Sequence, residues 1–209
     1  MGHDVWCRRI AALTAVVGWF ALILQLVIVV QKMAAIGQGF GPALWRFLGF
    51  FTVLTNLGVA IVATEIALGG LHALTGARAR LTTVVSIVLV GIIYALLLRH
   101  VWNPEGAQLL ADRLLHQAVP VLFLIVWLVG PHGRLRLADT VWAMAPPLAY
   151  LVYALARGEA DGWYAYWFLD PAKLGAEKMV QNAVVLALVF CGTALLFIGI
   201  DRAIGHRRG

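Results

Sequence analysis

The sequence has little charge. Asp, Glu, Lys and Arg make up only 12% of its 209 residues, about half the share found in a soluble domain. Hydrophobic residues make up 62%, and the mean hydropathy is +0.89. So few charged residues exclude a soluble globular domain. The apolar residues fall instead into runs of about 20, which is the length that a helix needs to cross a bilayer.

The sequence is also poor in cysteine, and no charged residue lies near the middle of an apolar run. Cys7 and Cys191 form no CxxC pair or other metal-ligand spacing, so we expect neither a metal site nor a cofactor. The missing mid-run charges argue against a proton pump or a charged-ion pathway. Most Lys and Arg residues stand at the ends of runs, as in membrane proteins, and nucleic acid is not an expected partner.

The apolar runs predict one all-α domain, residues 1–209, built as a bundle of about six transmembrane helices. Helices are favoured over a barrel because the runs show no strict alternation of apolar and polar residues. With both termini inside, nine of the sixteen Lys and Arg residues fall in inner segments, in the direction of the positive-inside rule. The predicted spans are 10–31, 45–68, 81–99, 113–130, 138–156 and 179–201.

Uncharged polar residues gather at one depth of this predicted bundle. The even-numbered spans all start on the outer side, and each carries polar residues near its start. Spacings of three and four within the second span place those residues on one helix face. Such a face should turn towards protein or a cavity, which predicts a polar pocket in the outer leaflet. The residues are Thr52, Thr55, Asn56, His116, Gln117, Gln181 and Asn182.

His116 is the one histidine well inside a predicted span, and an imidazole can act as a general base near neutral pH. A threonine hydroxyl needs such a base to become a nucleophile, so Thr52 and His116 form a candidate catalytic pair. Thr55, three residues deeper, is an alternative nucleophile. Asn56 or Asn182 is a candidate donor to a developing oxyanion. The structural alternative is that Thr bonds its own helix while Asn and His link helices.

An aromatic segment, Gly162 to Pro171, separates the last two predicted spans and reads GWYAYWFLDP. Aromatic residues beside a span are usually anchors at the membrane interface. A lid over the polar pocket is the alternative, with Trp163, Tyr166 and Asp170 as binding residues. The Asp170–Pro171 pair suits the start of a helix, which would fix the shape of the segment.

Three stretches resemble a bacterial family of six-span membrane proteins. They are FFTVLTNLGVA (50–60), LLHQAVPVLFLIVW (114–127) and GWYAYWFLDP (162–171), the last followed by a span that holds Asn182. That family is similar to the vertebrate androgen-induced and androgen-dependent TFPI-regulating proteins. The resemblance implies an inner-membrane protein that hydrolyses fatty acid esters of hydroxy fatty acids, with Thr52 and His116 as the catalytic pair. Trp167 stands where that family has a proline.

The sequence thus leaves three functions open. The first is an intramembrane lipid-ester hydrolase with a membrane lipid or lipid-like substrate. The second is a non-catalytic binder or carrier of a small neutral or lipidic solute, although no inverted repeat of the kind that many carriers have is visible. The third, a haem oxidoreductase, would need His100 and His116 to face each other as axial ligands.

Overall fold

The computed structural model describes residues 2–70 and 72–208, and most of them lie in helices. The helices are α1 (Gly2–Ala34), α2 (Phe40–Leu48), α3 (Phe51–Leu68), α4 (His72–Thr75), α5 (Ala77–Ile93), α6 (Gly106–Arg113), α7 (Val119–Val129), α8 (Thr140–Asp161), α9 (Pro171–Leu174) and α10 (Ala176–Arg208). Two π-helical turns extend this pattern: Tyr94–Leu98 continues α5, and Leu114–Ala118 joins α6 to α7. Short 3-10 turns occupy Leu137–Asp139 and Trp167–Leu169.

Within the described residues, five helical stretches are long and apolar enough to cross a membrane, and they match five of the six predicted spans. The chain is therefore a polytopic α-helical membrane protein. Helix α8 covers the remaining predicted span, 138–156, but it is not among the five. It carries two prolines in its interior and an arginine in its last turns, which lower its apolar character. The five stretches are Val5–Ala34, Phe51–Leu68, Ala77–Leu98, Gly106–Val129 and Ala176–Arg207.

The predicted second span, 45–68, is interrupted where α2 ends and α3 begins. Phe50 adopts an extended conformation between the two helices. Two tyrosine hydroxyls of α8 stabilise this interruption by hydrogen bonds to the backbone. Tyr150 donates to the Gly49 carbonyl at 3.0 Å, and Tyr153 donates to the Leu48 carbonyl at 3.3 Å, which satisfies acceptors left at the end of α2. The predicted span 45–68 is therefore not one continuous helix, and Thr52 lies in the first turn of α3 instead of about two turns inside a helix that begins near residue 45.

Helix α5 lies at the centre of the bundle and packs against α3, α7, α8 and α10. Its Leu81, Val84 and Ile87 are fully buried. Small residues bring α1 and α3 close together, as is usual between helices in a membrane. A Cβ placed on Gly18 of α1 would lie 3.4 Å from that of Ala60 on α3. The bundle therefore fixes the helix positions tightly enough to align side chains from different spans.

Candidate functional site

Thr52 and His116 lie in contact at the end of the bundle where α3 begins, which we call the site end. The Thr52 hydroxyl oxygen, Oγ1, is 3.3 Å from His116 Nε2. Thr52 comes from the first turn of α3 and is 7% exposed. His116 comes from the π-helical turn between α6 and α7, and 14% of its side chain remains exposed. The two residues that the sequence picks out are thus within hydrogen-bond reach of each other.

The other ring nitrogen of His116 faces a buried carboxylate. His116 Nδ1 is 3.2 Å from Asp112 Oδ1 and 3.0 Å from the Asp112 carbonyl oxygen. The Tyr94 hydroxyl donates a hydrogen bond to the other carboxylate oxygen, Oδ2. The Tyr94 ring also stacks on the imidazole, with centroids 4.0 Å apart and planes 18° apart. Asp112 and Tyr94 therefore fix the orientation of the imidazole ring.

One consistent assignment of protons follows from these contacts. A proton on Nδ1 of His116 is donated to Asp112, and this leaves the Nε2 lone pair free to accept from the Thr52 hydroxyl. An imidazole held in this tautomer by a carboxylate is the arrangement that activates a hydroxyl nucleophile. The order Thr52, His116 and Asp112 therefore has the geometry of a catalytic triad, with threonine as the nucleophile.

Tyr166 meets Thr52 from the opposite side. Its hydroxyl lies 3.3 Å from Thr52 Oγ1 and accepts a hydrogen bond of the same length from the Thr52 backbone N–H. Burial raises the pKa of the Tyr166 phenol, with hydrogen bonds from the start of α3 opposing the shift only in part. The phenol therefore keeps its proton at neutral pH and remains a donor. It stands beside a helix N-terminus, whose free N–H groups favour negative charge.

A proline follows the π-helical turn that carries His116 and leaves one of its carbonyls without a helical partner. In this turn the Val119 N–H reaches back to the Leu114 carbonyl. In the same register the Leu115 carbonyl would pair with the N–H of residue 120, which is a proline and has none. The fully buried Asn56 amide donates to the Leu115 carbonyl at 3.2 Å and to the Thr52 carbonyl at 2.8 Å. Asn56 thus joins the two backbone segments that carry Thr52 and His116.

Glycine lets α5 approach this turn closely. A Cβ on Gly91 would lie 3.1 Å from the His116 carbonyl oxygen and 3.4 Å from the Cβ of Pro120. The π-helical turn that begins at Tyr94 follows one turn later. Two π-helical turns thus face each other, and such turns are frequent at functional sites because they redirect side chains.

Two cavities meet at Thr52. The larger, which we call the vestibule, has a volume of about 600 Å³ and borders His116, Tyr94 and Asp112. The smaller, the apolar chamber, has a volume of about 80 Å³ and lies among α3, α5, α8 and α10. Thr52 and Tyr166 border both cavities, whereas His116 borders the vestibule and not the chamber.

The aromatic segment forms part of both cavities. Tyr164, Ala165 and Trp167 border the vestibule, and Phe168 and Leu169 border the chamber. The prediction that Asp170 and Pro171 start a helix is confirmed. Asp170 caps α9, its Oδ1 accepting from the Ala172 N–H at 3.0 Å, and Pro171 is the first helical residue. Trp163 packs edge-on against Phe50 instead of bordering either cavity.

The remaining predicted residues lie apart from the Thr52–His116 contact. Asn182 donates to the Phe168 carbonyl at 3.0 Å and so attaches the aromatic segment to α10. Thr55 borders a separate groove between α3, α5 and α8. Gln117 is exposed on the other face of its helix, and Gln181 is exposed and bonded to Glu177. His100 is likewise exposed.

The residues that sequence reasoning missed are Asp112, Tyr94, Gln25 and Gln108. Asp112 stands four residues before His116, a spacing that shares a helix face, but the predicted span began at residue 113 and left it in a loop. Gln108 donates to Gln25 Oε1 at 2.9 Å inside the vestibule wall. No local signal in the sequence pairs Tyr94 with Asp112, because they belong to different helices.

Comparison with known protein families, with curated proteins and with solved structures finds no match. In the described part of the chain, no group of three or more His, Cys, Asp or Glu residues is placed to hold a metal ion. The side chains at the site offer a hydroxyl nucleophile, an oriented imidazole base and a phenol donor. The backbone N–H groups at the start of α3 offer further hydrogen-bond donors.

Proposed function

We propose that this integral membrane protein is a lipid-ester hydrolase of the type that cleaves fatty acid esters of hydroxy fatty acids, with Thr52 as nucleophile. The observation that carries the proposal is the 3.3 Å contact of Thr52 Oγ1 with His116 Nε2, backed by the Asp112 carboxylate on the other ring nitrogen. The family resemblance of the sequence supports the same two residues. A membrane lipid or a lipid-like ester is the substrate.

The first half of the reaction transfers the acyl group to the enzyme. Thr52 Oγ attacks the ester carbonyl carbon while His116 Nε2 takes the hydroxyl proton. The tetrahedral intermediate then breaks its bond to the leaving oxygen, which receives that proton from His116 and departs as an alcohol. The Asp112 carboxylate stabilises the imidazolium that exists between these two proton transfers.

The second half of the reaction regenerates the enzyme. A water molecule that enters by the vestibule gives a proton to His116 and attacks the acyl carbon. The bond to Thr52 Oγ breaks, Thr52 recovers the proton from His116, and a fatty acid is released. One ester and one water thus yield one acid and one alcohol.

The negative charge on the intermediate needs donors at the site end. The Tyr166 hydroxyl and the Thr52 backbone N–H stand 3.3 Å apart, next to the position of the attacked carbon. In the resting state they bond to each other, and an oxyanion between them would accept from both. Removing one such donor usually lowers the rate by about 10²–10³-fold.

The proposal includes the membrane arrangement. Helix α8, which is 22 residues long, completes the six spans as the fifth in chain order, since 22 residues are enough to cross a bilayer. With six spans both termini lie on the same side. The bias of Lys and Arg makes that the inner side, and the site end then lies in the outer leaflet of a bacterial inner membrane. A substrate would then reach Thr52 from the lipid at acyl-chain depth.

Covalent labelling with a fluorophosphonate probe tests this proposal. Purified wild-type protein should be labelled. Thr52→Ala should not be labelled because it lacks the nucleophile, and His116→Ala should not be labelled because it lacks the base that activates the nucleophile. Thr52→Ser should keep it, since a hydroxyl remains. Thr55→Ala is the matched control, because Thr55 is on the same helix but borders a different groove.

Each variant is accepted only if it is monodisperse and unfolds at a temperature close to that of wild type. A folded Thr52→Ala protein that still labels would remove Thr52 as the nucleophile. If folded wild type is not labelled and does not cleave long-chain hydroxy fatty acid esters, a non-catalytic binder or carrier becomes the better supported function. Uptake of a lipidic solute into proteoliposomes would then be the measurement that supports it.

A further inference from the structure

The two cavities at Thr52 differ in chemistry. The chamber is bordered by apolar and aromatic side chains, with the Thr52 hydroxyl and two tyrosines as its polar groups. It extends from Thr52 to Leu148, which is 47% exposed on α8, and to Ala187 on α10. The chamber therefore reaches the apolar outer surface of the bundle between α8 and α10, where lipid chains lie in a membrane.

The vestibule is cationic. Among the residues that the structure describes, three cationic side chains border it, those of Lys32, Arg46 and Lys173, and Asp112 is the one acidic residue in its wall. Asp112 is buried and already accepts from Tyr94 and His116. Lys173 lies 3.4 Å from Asp170, so its charge is largely balanced.

Lys32 and Arg46 carry the charge that remains. Lys32 Nζ donates to Gln108 Oε1 at 2.9 Å and lies 5.6 Å from the centre of the Trp102 ring. The Arg46 guanidinium stacks 4.1 Å from the centre of the Trp163 ring. In the described part of the chain, neither residue has a carboxylate oxygen within 4.0 Å. The charge of Arg46 also acts on the Asp161 carboxylate from beyond that distance and helps to lower its pKa, so Lys32 is the less balanced of the two. Two positioned cations at a cavity wall with no carboxylate in direct contact favour an anionic ligand.

The position of His116 decides which part of an ester enters which cavity. His116 must give its proton to the leaving oxygen, so that oxygen has to lie on the vestibule side of Thr52. The acyl chain extends from the other side of the attacked carbon, towards the chamber. An anion in the chamber would lose its hydration without gaining a partner, which excludes the reverse placement for an anionic leaving group.

We propose that the enzyme binds its ester in one orientation, with the acyl chain passing through the apolar chamber towards the lipid-facing surface between α8 and α10, and with an anionic leaving alcohol in the vestibule on Lys32 and Arg46. This inference rests on the proposed function and adds the orientation of the substrate and the residues that recognise the leaving group. The anion is a carboxylate or a phosphate: the ester of a hydroxy fatty acid would release the first on a hydroxy fatty acid, and a lysophosphatidate would release the second on glycerol phosphate.

The test compares three ligands that share one acyl chain. They are the palmitoyl ester of a hydroxystearic acid, its methyl ester, which is neutral, and palmitoyl lysophosphatidate. Cleavage is followed by release of palmitate, and binding is measured separately with the non-cleavable ether analogues. Wild type should bind the better of the two anions about tenfold more tightly than the methyl ester. The ranking of carboxylate and phosphate identifies the source of the anion.

Lys32→Gln and Arg46→Gln should each remove most of this preference, because each raises KM for the anionic esters more than KM for the methyl ester. Lys178→Gln is the matched control, because Lys178 is exposed and borders neither cavity. Ala187→Trp should lower cleavage of the palmitoyl ester at least about tenfold and spare the butyryl ester of the same alcohol.

Equal affinity of wild type for the anionic and neutral analogues would overturn the inference. If the methyl ester is nevertheless cleaved by way of Thr52, the proposed function stands without it. An unchanged preference in both Lys32→Gln and Arg46→Gln would also overturn it. Anion-selective binding with no cleavage of any ester would instead remove the proposed function and, with it, the assigned orientation.

Discussion

Buried polar groups occur at both ends of the bundle, but they are used differently. At the opposite end from the site, Arg80 is 3% exposed and donates to the carbonyls of Trp127 and Pro131, at 3.0 Å and 3.1 Å. Asp201 is 2% exposed and accepts from the Leu135 N–H at 3.0 Å. These side chains satisfy the backbone of helix ends and loops. At the site end, Thr52, His116 and Asp112 bond mainly to one another.

This difference separates a structural polar cluster from a candidate catalytic one. Neither Arg80 nor Asp201 borders any of the cavities described above, whereas Thr52 borders two and His116 one. If burial of a charged side chain were the only criterion for a functional site, the opposite end would be the stronger candidate, since Arg80 is an arginine inside an apolar bundle. A reacting group must also be reached by a substrate. Access to a cavity, combined with side-chain pairing, is therefore the better criterion.

The largest effect is expected for Asp112→Asn, compared with Asp201→Asn at the other end. Loss of the carboxylate at His116 Nδ1 removes both the bond that fixes the tautomer and the charge that stabilises the imidazolium. We expect ester hydrolysis or probe labelling to slow by about 10³-fold. Asp201→Asn should leave the rate of the folded protein within about twofold of wild type. Similar losses in both variants would mean that Asp112 too is structural.

Arg80→Met should affect stability and not activity. It leaves the carbonyls at the end of α7 without their donor, and buried unsatisfied acceptors cost about 1–3 kcal/mol each. The unfolding midpoint in detergent should fall by several degrees, while labelling of the remaining folded protein is unchanged. Arg134→Met, at an exposed position nearby, is the control and should shift the midpoint little. A loss of labelling in folded Arg80→Met would show that the two ends are coupled.

The smallest effect is expected for Asp139→Asn, just before α8. Burial by itself would raise the pKa of the Asp139 carboxyl, but hydrogen bonds from the Arg136 N–H and the Arg78 guanidinium, 2.7 Å away, bring that pKa below its usual value. A carboxylate whose folded pKa is lowered stabilises the protein above the unfolded pKa of about 3.9. That stabilisation disappears as pH falls through the folded pKa.

Wild type should therefore exceed Asp139→Asn in stability by about 1 kcal/mol at pH 7, and the gap should close below about pH 4. Unfolding of both proteins across this pH range is the measurement. The amide of the variant can still accept from the Arg136 N–H, so only the charge is being tested. A gap that stays constant with pH would assign the effect to packing.

The choice of Thr52 and His116 required only the sequence. A polar residue at a given depth of an apolar run must turn inwards, and Thr52 and His116 satisfied that rule. The same rule failed for Gln117 and Gln181, which are exposed. Gln117 follows the inward-facing His116 and so lies on another face of the helix, and Gln181 lies in the second turn of α10, where it can reach polar surroundings without turning inwards. The rule also overlooked Asp112, since one residue of error in a span boundary moved it from a helix face to a loop.

What the sequence determined by itself was the class of the protein, five of its membrane-crossing helices and the two polar residues at the centre of the site. These follow from rules of length and spacing that act within one helix. Tertiary structure alone decided that α3 starts at Phe51, that Tyr94 meets Asp112 and that Tyr166 reaches Thr52. Those contacts depend on how closely helices approach, and that is set by packing at positions such as Gly18, Gly91 and Pro120 rather than by any local pattern.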